Sequence, residues 1–460
     1  MVSNGDTAWV LASAALVLFM TPGLALFYGG LVRSKNVLGT MMQSVAAIGI
    51  VSVVWLLIGY SLAFGPDVGG VIGGLANLGL AGVSDAPTTL APTVPGFAFV
   101  AFQLMFAVIT PALIAGAFAE RVRFGGYVAF VALWSLLVYS PIAHWVWGGG
   151  FLGADGIGAL DFAGGTVVHI SAGAAALAAA LFVGRRRGYP RGNFAPHNVP
   201  MVVLGAGILW FGWFGFNAGS ALAANGVASS AFLATHLGAV GAMVGWLIPE
   251  RLRHGRATAV GAATGAVAGL VAITPAAGFV APVPALVIGL IAGVVCFVAV
   301  EAKSRLRYDD SLDAVGVHMV GGIVGALLTG VFASIVVNPA GADGGWAQVG
   351  RQAAAIGVTL AFSFVATLVI LAIVERLVGF RVTEDAEDEG LDLAEHGESA
   401  YAFREHGRHV VPSIEAMSDH ELADLRERLV LEATARVLEQ IGSPSDERAA
   451  PVDLSVPGDP

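Results

Sequence analysis

The feature that most constrains the fold is a series of apolar runs in the first 380 residues, each close to 20 residues long. A helix of about 20 residues spans the hydrocarbon core of a bilayer, which is about 30 Å thick. With 56% hydrophobic and 12% charged residues, the composition excludes a soluble protein of 460 residues. We therefore predict an all-α polytopic membrane protein with eleven transmembrane helices, at 8–32, 40–64, 97–119, 125–147, 163–184, 198–220, 229–249, 257–277, 281–301, 314–336 and 350–378.

The basic residues predict the orientation of these helices. Arginine and lysine cluster in every second connection between the apolar runs, and the alternate connections have essentially none. By the positive-inside rule, the N-terminus lies outside and the C-terminus is cytoplasmic. Nothing basic precedes the first run, so it is interpreted as a retained helix and not as a secretion signal.

The charge balance changes near Arg381. Residues 1–380 carry 16 basic and 13 acidic residues, whereas residues 381–460 carry 7 and 20. We predict a transmembrane domain at 1–380, a cytoplasmic tail at 381–404 and an acidic extension at 405–460. A capping box at Ser418 and apolar residues at helical spacing predict a helix near 419–441 with a disordered end after it. That helix could pack between subunits, bind a regulator or be a solvated appendage.

Two histidines, His169 and His318, lie inside the fifth and tenth apolar runs. An ionisable side chain within the bilayer is costly and indicates a functional site. Five runs separate the two positions, so their helices run in opposite directions. We predict an inverted five-helix repeat plus an eleventh helix, with the histidines meeting near the membrane midplane. Each histidine is preceded by an aspartate, Asp161 or Asp313.

Either histidine alone would more often be a satisfied core residue, but a pair favours a shared function. Two buried imidazoles should remain neutral and can share one N–H. A metal site is the rival interpretation, but zinc needs three or four ligands and no carboxylate or thiolate lies at matching depth. We predict no metal and no other cofactor. His144 and His236 lack comparable partners in the sequence and are interpreted as structural.

Aromatic residues cluster at the outer ends of several runs. Phe102 and Phe106 are four residues apart, Trp147 precedes three glycines, and Trp213 and Phe216 share one motif. A belt of interfacial aromatic residues is one interpretation. The other is a vestibule lined by π faces, which holds a small cation without a fixed negative charge.

Four glutamates lie where runs reach the basic face and are predicted to pair with neighbouring arginines: Glu120, Glu250, Glu301 and Glu375. The basic residues are dispersed along that face and the tail is acidic. No nucleic-acid binding is therefore predicted.

Several motifs together resemble the ammonium transporter (Amt/Mep/Rh) family, closest to its prokaryotic Amt branch, over about residues 8–402. They are Phe102-Gln-Leu-Met-Phe106, Ala-His-Trp-Val-Trp147-Gly-Gly-Gly, Gly-Ala-Leu-Asp161-Phe-Ala-Gly-Gly-Thr-Val-Val-His169, Gly-Trp213-Phe-Gly-Phe216-Asn-Ala-Gly-Ser220 and Asp309-Asp310-Ser-Leu-Asp313-Ala-Val-Gly-Val-His318.

The resemblance implies a homotrimer in the cell membrane, not an enzyme, with one hydrophobic pore per subunit for ammonium or ammonia. It assigns an outer recruitment site to Trp147, Phe102, Phe106 and Ser220, and a gate to Phe106 and Phe216. It assigns the pore to His169, His318 and Trp213, and structural support to Asp161 and Asp313. Asp161 could equally cap the fifth helix.

The implied chemistry is recruitment of NH4+ outside, deprotonation near the gate and passage of NH3 along the histidines. Uniport of NH4+, symport of NH3 with H+ and channelling of NH3 all remain open, as does the alternative of an ammonium sensor with little transport. The tail around Asp392, Gly397 and Tyr401 resembles the family's cytoplasmic tail, which implies a PII-type signal protein as a partner.

Overall fold

The computed structural model describes residues 1–401 and, beyond them, only residues 426, 427, 429–431 and 434. Residues 1–401 form one compact unit. The predicted extension at 405–460, with its helix near 419–441 and its disordered end, lies almost entirely outside the described residues.

Within the described part of the chain, ten helices are long and apolar enough to cross a membrane, which makes this a multi-pass membrane protein. An eleventh apolar helix is shorter. In chain order they are α1 (Asn4–Leu31), α2 (Ser34–Phe64), α3 (Gly96–Phe118), α4 (Phe124–Trp147), α5 (Gly165–Val183), α6 (Val199–Gly219), α7 (Gly226–His254), the shorter α8 (Ala259–Ile273), α9 (Pro282–Leu306), α10 (Val315–Phe332) and α11 (Trp346–Leu377).

The eighth predicted span, 257–277, is the one that most exceeds the length of its helix. Its helix has 15 residues and ends at Ile273. Thr258 begins it, because its side chain accepts a hydrogen bond from the backbone N–H of Gly261. The next residue but one after Ile273, Pro275, has no backbone N–H to continue the helical hydrogen bonds, and the chain turns there.

Two short hairpins lie between α2 and α3. Strand β1 (Asp67–Val68) pairs antiparallel with β2 (Ile72–Gly73), and β3 (Pro87–Thr88) pairs antiparallel with β4 (Ala91–Pro95). Apart from these two hairpins and an isolated β-bridge between Val122 and Arg381, the regular structure of the described residues is helical.

Four of the long helices contain a π-helical segment. They are Trp55–Gly59 in α2, Ser135–Tyr139 in α4, Gly165–Ile170 in α5 and Val315–Met319 in α10. A π-helical turn contains an extra residue, and such turns occur frequently at functional sites. The segments in α5 and α10 contain His169 and His318.

Two short helices follow α11 and pack against the bundle: α12 (Glu384–Glu389) and α13 (Leu391–His396). The backbone N–H of Leu391 donates to Asn36 Oδ1, and Asp392 Oδ1 accepts from the backbone N–H of Gly39, both at 2.8 Å. These contacts attach the tail to the start of α2. We call this end of the bundle, where Arg33, Arg121 and Arg186 cluster, the basic end.

Candidate functional site

His169 and His318 meet inside the bundle. Their Nδ1 atoms are 3.3 Å apart, and the ring planes are inclined by 16° with centroids 5.4 Å apart. The side chains are buried, with 1% and 3% of their residue surfaces exposed. Since a hydrogen bond between two ring nitrogens needs one proton, the pair shares a single N–H.

Asp161 fixes the start of the helix that contains His169. Its carboxylate accepts four backbone N–H bonds, from Gly164, Gly165, Thr166 and Val167. Burial raises the pKa of this carboxyl, while the four N–H donors oppose the rise. The arrangement satisfies N–H groups that a helix start otherwise leaves unpaired.

Asp310, and not Asp313, is the counterpart of Asp161 on the other histidine helix. Its two carboxylate oxygens accept the backbone N–H groups of Ala314 and Val315. Asp313 instead forms an ion pair with Lys303. The sequence does contain the signal that distinguishes them, because Asp161 and Asp310 each lie eight residues before their histidine.

A glycine allows the two histidine helices to approach closely. Gly173, in α5, lies where a Cβ atom would come within 2.3 Å of the backbone nitrogen of Met319 in α10. Any other residue would force the helices apart and separate His169 from His318.

Aromatic rings continue from the histidine pair toward one end of the bundle. Trp213 and Phe216 stack on His169, with centroid distances of 5.4 and 6.0 Å. Phe216 lies 4.3 Å from Phe106, whose ring has an edge contact with Trp147 at 5.9 Å. Phe102 lies 4.9 Å from Phe106 on the same helix. The end of the bundle that these rings reach is called the aromatic end below.

Hydrogen bonds hold the polar atoms of this cluster. The indole N–H of Trp147 donates to the backbone oxygen of Asp161 at 2.9 Å, and Trp213 donates to Thr274 at 2.9 Å. Ser220 donates its hydroxyl proton to the backbone oxygen of Phe216 at 2.8 Å. The Ser220 oxygen therefore keeps lone pairs that can accept a further hydrogen bond.

A narrow cavity of about 20 Å³ lies beside the histidine pair, and its wall includes His169, His318, Trp213, Phe216 and Tyr28. This is room for about one molecule of the size of water. Among the described residues, His169 Nε2 has no hydrogen-bond partner although it is buried. The cavity is thus apolar except for a few ring nitrogens and hydroxyl groups.

No comparable partner for His144 is evident in the sequence, but in the structure each of its ring nitrogens has one. Nδ1 lies 3.0 Å from the backbone oxygen of Ala63, and Nε2 lies 2.8 Å from Asp67 Oδ1. The partner Asp67 is 77 residues away in the sequence, so no local pattern indicates it. Among the described residues, no three potential metal ligands come together.

The basic end contains a buried ion network. Arg186 pairs with Glu120 at 3.0 Å and with Asp309 at 2.8 Å, and Glu120 also pairs with Arg33 at 3.0 Å. Burial alone would raise the pKa of Glu120 and Asp309, but the neighbouring arginines lower both.

The predicted pairing of glutamates with arginines is confirmed for Glu120 and for Glu301, which binds Arg253. It does not describe the other two glutamates. Glu250 accepts hydrogen bonds from Thr258, and Glu375 accepts one from the backbone N–H of Phe380.

The fold and the site define a class of protein: a multi-pass helical membrane protein with a narrow cavity beside paired histidines, below a stack of aromatic rings. The family model described as Ammonium Transporter Family matches residues 8–401. The chain belongs to this family, whose members are transporters and not enzymes.

Relatives named for their function support the assignment. An ammonium transporter of Mycobacterium tuberculosis is 50% identical over 442 residues, covering 89% of this chain and 92% of the relative. One of Bacillus subtilis is 51% identical over 402 residues, covering 86% and 98%. The crystal structure of Candida albicans Mep2 superimposes with a TM-score of 0.79 at 37% identity, covering 84% of this chain and 87% of that one.

Proposed function

We propose that this protein recruits NH4+ at the aromatic end, separates a proton from it and conducts NH3 past His169 and His318. The proton either returns to the outer water or crosses separately from the NH3. The observation that carries the proposal is the buried histidine pair beside a cavity with room for about one small molecule. Its relatives are named ammonium transporters.

Recruitment is assigned to Trp147, Phe102, Phe106 and Ser220. A small cation gains about 0.5–2 kcal/mol from each aromatic face that it meets. Ser220 adds an oxygen that can accept a hydrogen bond from ammonium, since its own proton is already donated to Phe216. These contacts select a cation that can donate hydrogen bonds.

Phe106 and Phe216 are proposed to form the gate. Their ring centroids are only 4.3 Å apart, which excludes a hydrated ion in this arrangement. An unhydrated ammonium ion would pay a large desolvation penalty beyond the rings, whereas neutral ammonia would lose little hydration energy. Deprotonation at the gate therefore lowers the barrier, and potassium has no proton to lose.

His169, His318 and Trp213 are proposed to line the conduction path. Ammonia both donates and accepts hydrogen bonds, so it can meet the buried Nε2 of His169 in either protonation state of that nitrogen. Asp161 supports this path by fixing the helix start, and we assign Asp313 a supporting role through its pair with Lys303.

The architecture proposed for this function has eleven membrane-crossing helices, formed by two inverted five-helix repeats and α11. The equivalent positions of Asp161 and Asp310 relative to the two histidines support the repeat. The N-terminus and the aromatic end lie outside, and the basic end is cytoplasmic. We further propose a homotrimer, with the tail at 381–404 as the contact for a PII-type signal protein.

The test is a recording from purified protein in vesicles on a solid-supported membrane, pulsed with ammonium or with potassium, together with a pH dye inside the vesicles. A sustained current with ammonium alone would show charge-coupled transport. Internal alkalinisation without current would show conduction of neutral NH3. No response in either recording would refute the proposed transport and leave a sensor.

A further inference from the structure

His144 and Asp67 form a contact that joins α4 to the β1–β2 hairpin at the aromatic end. His144 is completely buried, whereas the side chain of Asp67 is 43% exposed. The imidazole lies between two oxygen atoms, the backbone oxygen of Ala63 on Nδ1 and Asp67 Oδ1 on Nε2, at 3.0 and 2.8 Å.

Counting protons gives the charge of this imidazole. A backbone oxygen can only accept, so Nδ1 must carry a proton to bond Ala63. An ionised carboxylate can also only accept, so Nε2 must carry a second proton to bond Asp67. The side chain of Asp67 is 43% exposed to water and both of its oxygens accept the backbone N–H of Gly70, which favours the ionised carboxylate. The two contacts together therefore require an imidazolium.

The contact belongs to a group of three that hold the same hairpin. The indole N–H of Trp145 donates to the backbone oxygen of Val71 at 2.6 Å. The backbone N–H of Phe151 donates to the backbone oxygen of Gly70 at 3.0 Å, which extends the attachment into the loop after α4. The hairpin is thus bound to the end of α4 and to the loop that follows it.

The attachment lies beside a residue of the proposed recruitment site. His144 lies about one helical turn before Trp147, whose side chain is assigned to recruitment above. The contact between His144 and Asp67 therefore restrains the same end of α4 that carries the Trp147 ring.

We propose that His144 and Asp67 are a positioning pair: a buried imidazolium and its carboxylate that hold the β1–β2 hairpin against α4, and thereby hold Trp147 in place for ammonium capture over a limited pH range. This inference rests on the proposed function only for its effect on capture. The charge state of His144 can be measured independently of transport.

The pair loses its contact when the pH rises. Once the imidazolium gives up the Nε2 proton, a nitrogen lone pair faces the Asp67 carboxylate, and the exposed carboxylate can turn toward water. The titratable residues on the elements packed against this part of α4 are Tyr60, Tyr139 and His169. The charged group that contacts the His144 ring is the carboxylate of Asp67.

The chain offers a matched control in Asp67→Asn. In asparagine, the amide nitrogen can take the place of Oδ1 and donate to an unprotonated Nε2. Its oxygen can take the place of Oδ2, which accepts the backbone N–H of Gly70 at 3.1 Å. In this variant a neutral His144 satisfies both contacts. His144→Gln is the second variant, because a glutamine amide cannot carry the positive charge of an imidazolium.

The experiment measures the apparent KM and the maximum rate of ammonium transport in proteoliposomes at about pH 6 and at about pH 8.5. Wild type and Asp67→Asn should have the same KM at the lower pH. At the higher pH the wild-type KM should be about threefold to tenfold above that of Asp67→Asn, because only the wild-type contact depends on a proton on Nε2. The maximum rate should be equal in both, since the pore is unchanged.

Nitrogen-15 NMR of histidine-labelled protein tests the charge state directly, with His144→Gln identifying the signal among the ten histidines. At about pH 6, both ring nitrogens of His144 should be protonated in the wild type, and only one in Asp67→Asn. A neutral His144 in the wild type, or identical KM profiles for wild type and Asp67→Asn, would overturn the proposal. If the protein transports no ammonium but the NMR result holds, the pair stands and the proposed function fails.

Discussion

Asp161 and Asp310 occupy equivalent places relative to the two buried histidines. Each lies eight residues before a buried histidine, and each uses both carboxylate oxygens to accept backbone N–H groups at the start of its helix. The pKa of Asp310 is raised to about 7 by burial, an effect that the charge of Lys303 opposes. The same local device thus sets the position of both imidazoles.

Replacing Asp161 by alanine should destabilise the protein. The change leaves four backbone N–H groups without their acceptor, and loss of a single capping residue already costs about 0.5–2 kcal/mol. We expect a lower unfolding temperature in detergent and reduced transport. Asp155→Ala, an exposed aspartate in the same connection, should change neither. Equal unfolding temperatures for the two variants would show that the cap contributes nothing.

His169→Ala should impair the handling of ammonium without unfolding the protein. The substitution removes the shared N–H of the histidine pair and enlarges a cavity that is about 20 Å³ in the wild type. We expect loss of ammonium-specific transport or entry of potassium, measured as currents for the two ions. His236→Ala is the control, because this histidine packs against Trp210 outside the cavity. Unchanged ammonium selectivity in His169→Ala would contradict the proton-handling role.

Phe216→Leu should weaken the gate. The substitution removes the ring that lies 4.3 Å from Phe106 and also the ring that stacks on His169. We expect faster leakage of potassium or protons into vesicles, read with a pH dye and a potassium electrode. Phe214→Leu is the matched control on the same helix, since Phe214 stacks on Phe232 and does not line the cavity. Equal leakage from the two variants would remove Phe216 from the gate.

Arg186→Gln should be among the most destabilising changes at the basic end. It leaves Glu120 and Asp309 buried without their shared partner, and breaking a buried ion pair typically costs about 3–5 kcal/mol. Arg187→Gln should cost no more than about 1 kcal/mol, because its ion pairs are exposed. Thermal unfolding of the two variants beside the wild type measures the difference.

The same pair of variants predicts a pH dependence. The pKa values of Glu120 and Asp309 are lowered in the folded protein. The two carboxylates therefore contribute their full stabilisation above their ordinary pKa values, about 4. This contribution is lost as the pH falls through the lowered pKa values of the folded protein. The stability advantage of wild type over Arg186→Gln should therefore shrink below about pH 4. An advantage that stays constant down to about pH 2–3 would show that these carboxylates do not carry it.

The sequence predicts the parts of this protein that local patterns determine. Apolar run length places the helices, and it overestimates α8 because Pro275 and the turn around it are themselves apolar enough to extend the run. The histidine pair was predictable because charge or polarity inside such a run is costly. Asp310 was missed in favour of Asp313, although the eight-residue spacing from each histidine distinguishes them.

Apart from the His169–His318 pair, contacts between distant segments are the part that the sequence does not predict. The His144–Asp67 pair joins residues 77 positions apart, and the bond between Asp392 and Gly39 spans 353. No periodicity connects such positions, because they meet only after the helices have packed. The π-helical segments are also absent from the sequence interpretation, since an extra residue in one turn leaves the apolar pattern almost unchanged.

Two truncations separate the tail from the acidic extension. A chain ending at residue 404 keeps the bonds from Leu391 to Asn36 and from Gly39 to Asp392, so transport and the unfolding temperature should match those of the full chain. A chain ending at residue 380 loses both bonds and the ion pair between Arg381 and Glu387, and leaves the side chain of Asn36 without one of its partners. Because Asn36 also binds Glu120 in the buried ion network, the shorter chain should unfold at a lower temperature. If removal of residues 405–460 alone abolished folding, the transmembrane domain would need the extension for its stability.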